Sequence, residues 1–140
     1  MNLNYVDTSV FVAAFTQEQH TPRAERWLTS GSDFAISDWT ITEISSALAM
    51  KLRVGSVDLE TRATALEAFA ELIRDSLTLL PVESKHFREA ARFAERHELG
   101  LRAPDALHLA IAADSGATLV TLDRRMAKMG RKLGVATRLI

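Results

Sequence analysis

Cysteine is absent from this chain of 140 residues, which excludes disulfide bonds, thiolate metal ligands and a thiol nucleophile. A bound metal ion would therefore need oxygen ligands or histidine. Glycine and proline are scarce as well, with 6 and 3 residues, while hydrophobic residues make up 47% of the chain. This composition is typical of a folded globular protein and excludes a disordered or fibrous one. The length predicts a single domain, residues 1–140.

Long hydrophobic runs are also missing. No stretch approaches the roughly 20 apolar residues that cross a bilayer, and the amino end, MNLNYVDTSV, lacks the charged start and apolar core of a secretory signal. We therefore expect a cytoplasmic protein that has no membrane contact. The net charge is only -1, from 17 Lys and Arg against 18 Asp and Glu, so any binding to RNA would need a local basic patch.

Short apolar segments alternate along the chain with segments of helical periodicity. Strands are predicted at residues 3–6, 34–36, 77–82, 118–122 and 136–140. Helices are predicted at residues 21–30, 38–54, 56–75, 84–99, 105–113 and 124–133, several with a capping residue before them and a glycine after them. Because parallel strands need crossover connections, which are usually helical, this order predicts an α/β fold. We expect a mainly parallel sheet of about five short strands, covered on both faces.

Two acidic residues directly follow predicted strands. Asp7 comes after the first strand, and Asp123 comes after the strand at residues 118–122. In open α/β sheets the carboxyl ends of the strands form the edge at which ligands bind. The sequence therefore predicts that these two carboxylates share one edge of the sheet.

Two further acids lie on helices that are otherwise apolar. Glu43 begins an apolar stripe that continues through Ala47, Met50 and Val54, and the opposite side of the same helix is apolar too. Asp105 begins a helix whose next eight residues contain a single polar side chain. Since burying an unpaired charge is costly, these positions indicate that the charges have a function.

Each acid also has an ordinary structural explanation. The three aspartates could cap or complement the helices that follow them, and Glu43 could pair with Lys51 or Arg53. One explanation covers all four, however. Carboxylates gathered in one place repel each other unless a divalent cation neutralises them, and Mg²⁺ and Mn²⁺ prefer oxygen ligands. Such a cluster would bind one or two ions and support phosphodiester hydrolysis by water that the metal activates, without a protein nucleophile.

Four segments, in this order, resemble a known family. They are YVDTSV near the amino end, TITEISSAL, RAPDALHLAIA and LVTLDRRM, and together they span nearly the whole chain. The sequence resembles the PIN-domain ribonucleases, in particular the VapC toxins of VapBC toxin-antitoxin systems. The resemblance implies a three-layer α/β/α fold, dependence on Mg²⁺ or Mn²⁺, and endonucleolytic cleavage of RNA. It also implies that such a toxin forms a homodimer and is inhibited by a VapB-like antitoxin, whose carboxyl-terminal segment wraps around it.

The resemblance assigns roles to the acids. Asp7, Asp105 and Asp123 match the positions that hold the principal ion, and Glu43 matches the acid that helps to hold a second ion or positions water. The catalytic and metal-binding quartet that the resemblance implies is thus Asp7, Glu43, Asp105 and Asp123. Small hydroxyl residues that match the support of this site are Thr8 or Ser9, and Thr121.

Basic residues surround two of the predicted acids. A rim of cations beside an acidic pocket would bind RNA phosphates, although a solvated helix face explains the same residues equally well. The candidates are Arg102, Arg124, Arg125 and Lys128. His108, on the apolar helix, is interpreted as a hydrogen-bonded core or interface histidine and not as a metal ligand. Trp27 and Trp39 are expected to pack and not to stack on bases.

Other functions fit less well. A phosphatase with an aspartyl nucleophile would need a second acid two residues after the first, where this chain has Ser9. A phosphoacceptor receiver domain would need paired acids near the first strand, where the sequence has asparagines. The main alternative is a catalytically inactive PIN-like module that binds RNA or a protein. Retention of all four acids argues against it.

Overall fold

Strands and helices alternate throughout residues 2–140, the part of the chain that the computed structural model describes. The strands are β1 (Asn4–Val6), β2 (Phe34–Ser37), β3 (Leu77–Leu80), β4 (Thr118–Thr121) and β5 (Thr137–Leu139). The helices are α1 (Thr8–Phe15), α2 (Thr21–Leu28), α3 (Asp38–Arg53), α4 (Leu59–Asp75), α5 (Ser84–Glu95), α6 (Ala103–Ser115) and α7 (Arg124–Lys132), with a 3₁₀ turn at His97–Leu99.

The five strands form one sheet in the order β3-β2-β1-β4-β5, and every pair of neighbours is parallel. At the centre, Tyr5 of β1 pairs with Ala35 on one side and Leu119 on the other. The chain builds outward from β1 through β2 to β3, and then returns to the other side of β1 with β4. In open α/β sheets such a reversal forms a crevice at the carboxyl ends of the two strands beside it, here β1 and β4, and ligands bind there.

Helices cover both faces of the sheet, because successive strand residues point in opposite directions. Tyr5 belongs to one core cluster and its neighbour Val6 to the other. The first cluster centres on α6, which is buried from Ala106 to Ala112 and thereby explains its apolar sequence. The second cluster contains side chains from α1, α2, α3 and α4. The prediction of a three-layer α/β/α fold with a parallel sheet of five short strands is confirmed.

The boundaries of some elements differ from those predicted. The run Thr8–Phe15 forms α1, the helix that Asp7 could cap, but the Asp7 side chain makes no capping hydrogen bond to it. The predicted helix at residues 84–99 is α5 followed by the 3₁₀ turn, whose Leu99 is 3% exposed. The helix predicted from residue 56 begins at Leu59, because the Asp58 side chain accepts a hydrogen bond from the backbone N–H of Thr61 and caps it. No helix within residues 2–140 is long and apolar enough to cross a membrane.

Candidate active site

Asp7 lies at the carboxyl end of β1, between β1 and β4. Its backbone N–H donates to the carbonyl of Val120 at 2.9 Å, which places it beside the end of β4. Its Oδ2 atom accepts hydrogen bonds from Ser9 Oγ at 2.6 Å and from Thr121 Oγ1 at 2.8 Å. The residue is only 6% exposed, and no group in residues 2–140 donates to Oδ1. One carboxylate oxygen therefore has two hydrogen-bond donors, while the other has none within residues 2–140.

Asp123 follows β4 and begins α7. Its Oδ1 accepts from the backbone N–H groups of Arg125 and Met126, at 2.8 and 3.2 Å, so it does cap this helix. The same residue is tied to Asp7 through Thr121, whose hydroxyl donates to Asp7 and accepts from the backbone N–H of Asp123 at 3.0 Å. Capping and site formation are thus compatible, because capping uses only one of the two carboxylate oxygens.

Asp105 lies in the first turn of α6, directly after Pro104. Burial raises the pKa of its carboxyl, and the neighbouring charges of Asp7 and Asp123 raise it further, although Arg102 opposes the shift. The Nε atom of Arg102 lies 3.4 Å from Asp105 Oδ2. Burial is the largest cause of this shift, and Asp7 and Asp123, which follow β1 and β4, lie close enough to Asp105 to add to it.

Glu43 reaches the same crevice from α3. Its Oε1 accepts from the hydroxyl of Thr8, at 2.8 Å, and contacts Nε2 of His108. The alternative pairing with Lys51 is wrong, because Lys51 instead forms an ion pair with Glu18 at 3.4 Å. The Glu43 side chain is 22% exposed. Helix α3 therefore directs an acid inward near its beginning, while its end is exposed, with Val54 at 70%.

A buried group of polar side chains beneath Glu43 was not predicted. The Tyr5 hydroxyl lies 2.8 Å from His108 Nδ1 and 2.7 Å from Ser37 Oγ, and Thr40 Oγ1 lies 3.4 Å from the same hydroxyl. All four residues are completely buried. The signal in the sequence was a tyrosine in a buried strand and a histidine in an apolar helix, because polar groups in such places need partners.

The residues predicted to pack do so. His108 is a hydrogen-bonded core histidine, as interpreted from the sequence. The ring of Trp27 packs on Phe34, with centroids 4.6 Å apart, and Trp39 packs against the core cluster around α6. Neither tryptophan is exposed enough to be classed as a surface residue.

The basic residues of the predicted RNA-binding set differ in their surroundings. Arg102, Arg124 and Lys128 are exposed, and Arg102 also neighbours Asp105. Arg125 is also exposed, but its guanidinium donates to the carbonyl of Gly100 and so ties the beginning of α7 to the segment that precedes α6. This hydrogen bond connects the elements that carry Asp105 and Asp123.

The donor chemistry of the crevice fits a hard divalent cation, since the acids offer oxygen ligands and Asp7 Oδ1 receives no hydrogen bond within residues 2–140. Over that same range, no three His, Asp or Glu side chains converge closely enough to hold one ion directly. Mg²⁺ commonly binds through one or two carboxylates and keeps water or substrate oxygens as its other ligands. The arrangement therefore fits a cation that is partly hydrated.

Comparison with known proteins identifies the family. Residues 5–132 match the family model of the PIN domain. Together with the parallel sheet and the acidic crevice between β1 and β4, this match shows that the chain belongs to the PIN domain family.

Individual relatives match this chain at low sequence identity. Ribonuclease VapC3 of Pyrobaculum aerophilum is 27% identical over 125 residues, which are 88% of this chain and 91% of that protein. The crystal structure of PAE2754 from the same organism is 26% identical with a TM-score of 0.69, and the match covers 97% of this chain and 83% of that one. VapBC2 from Rickettsia felis, solved with a DNA fragment from its promoter, is 20% identical with a TM-score of 0.68 and 98% coverage of both chains.

Proposed function

We propose that this chain is a divalent-cation-dependent endoribonuclease that acts as the VapC-type toxin of a toxin-antitoxin pair. The observation that carries the proposal is the placement of Asp7, Asp105, Asp123 and Glu43 around one crevice at the carboxyl end of the sheet. A relative of similar length, Ribonuclease VapC3, is named for the activity we propose. Mg²⁺ or Mn²⁺ is the cofactor we propose, in one or two ions.

The contacts of each acid indicate the role that we propose for it. When bound, a divalent cation supplies a more acidic water and neutralises the charge that develops on the phosphate. Asp7 would bind this cation through its unbonded Oδ1. Because no three acids in residues 2–140 converge on one point, Asp105 and Asp123 would contribute partly through water on the ion. Glu43 would help to hold a second cation or orient the attacking water. The water oxygen bonds to phosphorus as the bond to the departing ribose oxygen breaks, and that oxygen takes up a proton.

The hydroxyl residues keep the acids in place. Ser9 and Thr121 fix Asp7, and Thr8 fixes Glu43. In this proposal the three hydroxyls orient the carboxylates to which they donate, and the attacking group is water. Loss of one of these hydroxyls should weaken the site less than loss of an acid, since a single hydrogen bond to a charged group contributes about 1.5–3 kcal/mol.

A cleavage assay tests the proposal. Purified protein is incubated with RNA and Mg²⁺ or Mn²⁺, with and without a chelator, and compared with Asp7→Asn. Asp33→Asn is the matched control, because Asp33 is an exposed acid just before β2, at the opposite end of the sheet. We expect wild type and Asp33→Asn to cleave RNA and Asp7→Asn not to. Equal degradation by Asp7→Asn would contradict the proposal, and RNA binding without cleavage would favour the inactive module.

Arg102, Arg124 and Lys128 are proposed to bind RNA phosphates. They are exposed, and they flank Asp105 and Asp123 in the sequence. Neutralising one phosphate contact should lower the salt dependence of RNA affinity by about one counterion. Lys128→Gln, measured at several salt concentrations on the inactive Asp7→Asn background, should show this change. An unaltered salt slope would contradict the assignment of that lysine.

A VapB-like antitoxin is the proposed protein partner. A groove of about 500 Å³ lies between α1, α2 and α4. Its floor contains Phe15, Leu28 and Leu72, and its edges carry acids. These features suit an antitoxin segment with apolar side chains flanked by basic ones. The residues that line it include Phe15, Leu28, Leu72, Glu25, Glu71 and Asp75.

Co-expression tests this partner. The product of a short neighbouring reading frame should co-purify with the chain and suppress its RNA cleavage. Leu72→Arg, which places a large cation on the groove floor, should reduce that complex, while Glu60→Arg on the exposed amino end of α4 should not. Retention of the full complex by Leu72→Arg would show that the antitoxin binds elsewhere.

A homodimer is also proposed. Phe87 on α5 is 56% exposed beside an almost wholly apolar cavity of about 310 Å³ that includes Trp39 and Leu107. Exposed apolar patches of this kind commonly mark protein interfaces. Light scattering should give the mass of a dimer for wild type and of a monomer for Phe87→Glu. A monomeric wild type would contradict the proposal.

A further inference from the structure

His108 is completely buried, yet both of its ring nitrogens have polar partners. Its Nε2 contacts Oε1 of Glu43, and its Nδ1 lies 2.8 Å from the Tyr5 hydroxyl. The contact with Glu43 joins α6 to α3 across 65 positions of sequence. The chemistry proposed above uses neither His108 nor Tyr5, so this pairing needs its own explanation.

The directions of these hydrogen bonds follow from the groups involved. A carboxylate only accepts, so His108 Nε2 donates to Glu43. In the neutral imidazole the other nitrogen is then an acceptor, so the Tyr5 hydroxyl donates to Nδ1. Ser37 Oγ, 2.7 Å from the Tyr5 oxygen, can donate in turn. With a neutral imidazole, the chain Ser37–Tyr5–His108–Glu43 has one consistent direction, and its two ring contacts hold the imidazole in one orientation.

These hydrogen bonds make the two carboxylate oxygens of Glu43 different from each other. Oε1 receives two donors, His108 Nε2 and Thr8 Oγ1. Nothing in residues 2–140 donates to Oε2. The buried network therefore holds one oxygen of the Glu43 carboxylate and leaves the other without a donor in residues 2–140. Asp7 is held in the same way, since Ser9 and Thr121 both donate to its Oδ2.

We propose that His108 is a positioning residue that holds Glu43 through Oε1 so that Oε2 is presented to the bound cation or to the attacking water. This inference rests on the function proposed above and adds a residue to it. Groups that hydrogen-bond metal-binding carboxylates typically affect metal affinity or activity 10–100-fold. We expect His108→Leu to weaken Mn²⁺ binding, lower kcat, or both, by about 10–100-fold, while KM for RNA changes little because His108 is buried below the surface.

His108→Gln and His86→Leu are the informative comparisons. A glutamine at 108 retains a donor that can replace Nε2, so it should restore much of what the leucine variant loses. His86 is the matched control, because it is also buried, at 3% exposure, and also has two partners. These are the backbone N–H of Glu83 and the carboxylate of Asp114, both at 2.9 Å and both remote from the proposed site. His86→Leu should lose stability and keep Mn²⁺ affinity.

Two measurements separate positioning from simple stabilisation. Free Mn²⁺ is measured by electron paramagnetic resonance in a titration without RNA, which gives metal affinity independently of catalysis. The double variant Glu43→Gln with His108→Leu is then compared with Glu43→Gln alone. If His108 acts through Glu43, the double variant is no worse than the single one, because the group being positioned is already lost.

The possible outcomes are distinct. Reduced Mn²⁺ affinity or kcat in His108→Leu, rescue by His108→Gln and no added loss in the double variant would support the proposal. Wild-type Mn²⁺ affinity and kcat in a folded His108→Leu, or losses that multiply in the double variant, would overturn it. If wild type binds Mn²⁺ without cleaving RNA, the proposed function fails and the positioning role is judged on Mn²⁺ affinity alone. If wild type does neither, both fail.

Discussion

Ionisation of Tyr5 offers a quantitative test of the buried network, because this residue is the one tyrosine of the sequence. Burial raises the pKa of its phenol from the usual 10.0 to about 12, opposed by hydrogen bonds from Ser37 and Thr40 and aided by the charges of Asp7 and Glu43. A rise from 10.0 to about 12 corresponds to roughly 3 kcal/mol. Between these pH values the native protein keeps a proton that the unfolded chain has lost, so the free energy of unfolding falls as the pH rises.

Comparison with Tyr5→Phe isolates this contribution, because the variant has no phenol to titrate. Below pH 10.0 the variant should be less stable by about 1–3 kcal/mol, since His108 Nδ1 loses its buried partner. As the pH approaches 12, that difference should shrink by roughly 3 kcal/mol and disappear or reverse. Denaturant unfolding followed by the fluorescence of Trp27 and Trp39 measures both proteins.

The ultraviolet absorbance of the phenolate gives a second and direct reading of the same pKa. In the native protein the phenolate should form near pH 12, and in denaturant near 10.0. A native phenol that ionises near 10.0, together with a constant stability difference between wild type and Tyr5→Phe, would refute the reasoning. It would mean that the Tyr5 hydroxyl is accessible to water and does not orient His108.

Two further predictions concern stability. Asp105→Asn should make the metal-free protein more stable at neutral pH, because burial and the charges of Asp7 and Asp123 raise the pKa of that carboxyl. The gain in stability should grow as the pH rises above 3.8 and the wild-type carboxyl ionises. A gain that does not change with pH would contradict this prediction. Gly130→Ala should lower the Tm, because the added Cβ would lie 2.9 Å from Leu109 Cδ2 and closer still to Thr137. Overpacking costs about 1–3 kcal/mol, which exceeds the gain of about 1 kcal/mol from the higher helix propensity of alanine. An unchanged or higher Tm would contradict this packing.

Much of the fold could be predicted because its signals are local. Strand–helix alternation requires a parallel sheet, and an acid directly after a buried strand lies at the carboxyl edge wherever that strand is placed. Asp7 and Asp123 were therefore identifiable without knowing the order of the strands. Asp105 was visible because the eight residues after it contain a single polar side chain, although an acid in the first turn also complements the helix dipole.

Other features depend on contacts between distant segments. The pairing of Glu43 with His108 spans 65 positions, and nothing in either helix alone indicates that the two side chains meet. The hydrogen bond from Arg125 to Gly100 could not be predicted either, because an exposed arginine in a basic helix is equally suited to binding RNA. Helix α1 was expected only as the short helix that Asp7 could cap, and its extent was not predicted for a local reason. It follows β1 after a single residue, without glycine or proline, so its apolar sequence continues that of the strand.

The account depends most on the claim that a divalent cation binds at Asp7, beside Asp105 and Asp123. Crystals soaked in Mn²⁺ and measured at the manganese absorption edge would locate the ion by its anomalous signal. We predict one strong peak beside Asp7 Oδ1, within the crevice between β1 and β4, and its loss in crystals of Asp7→Asn. A peak only at other positions, or the same peak in the Asp7→Asn protein, would contradict the claim.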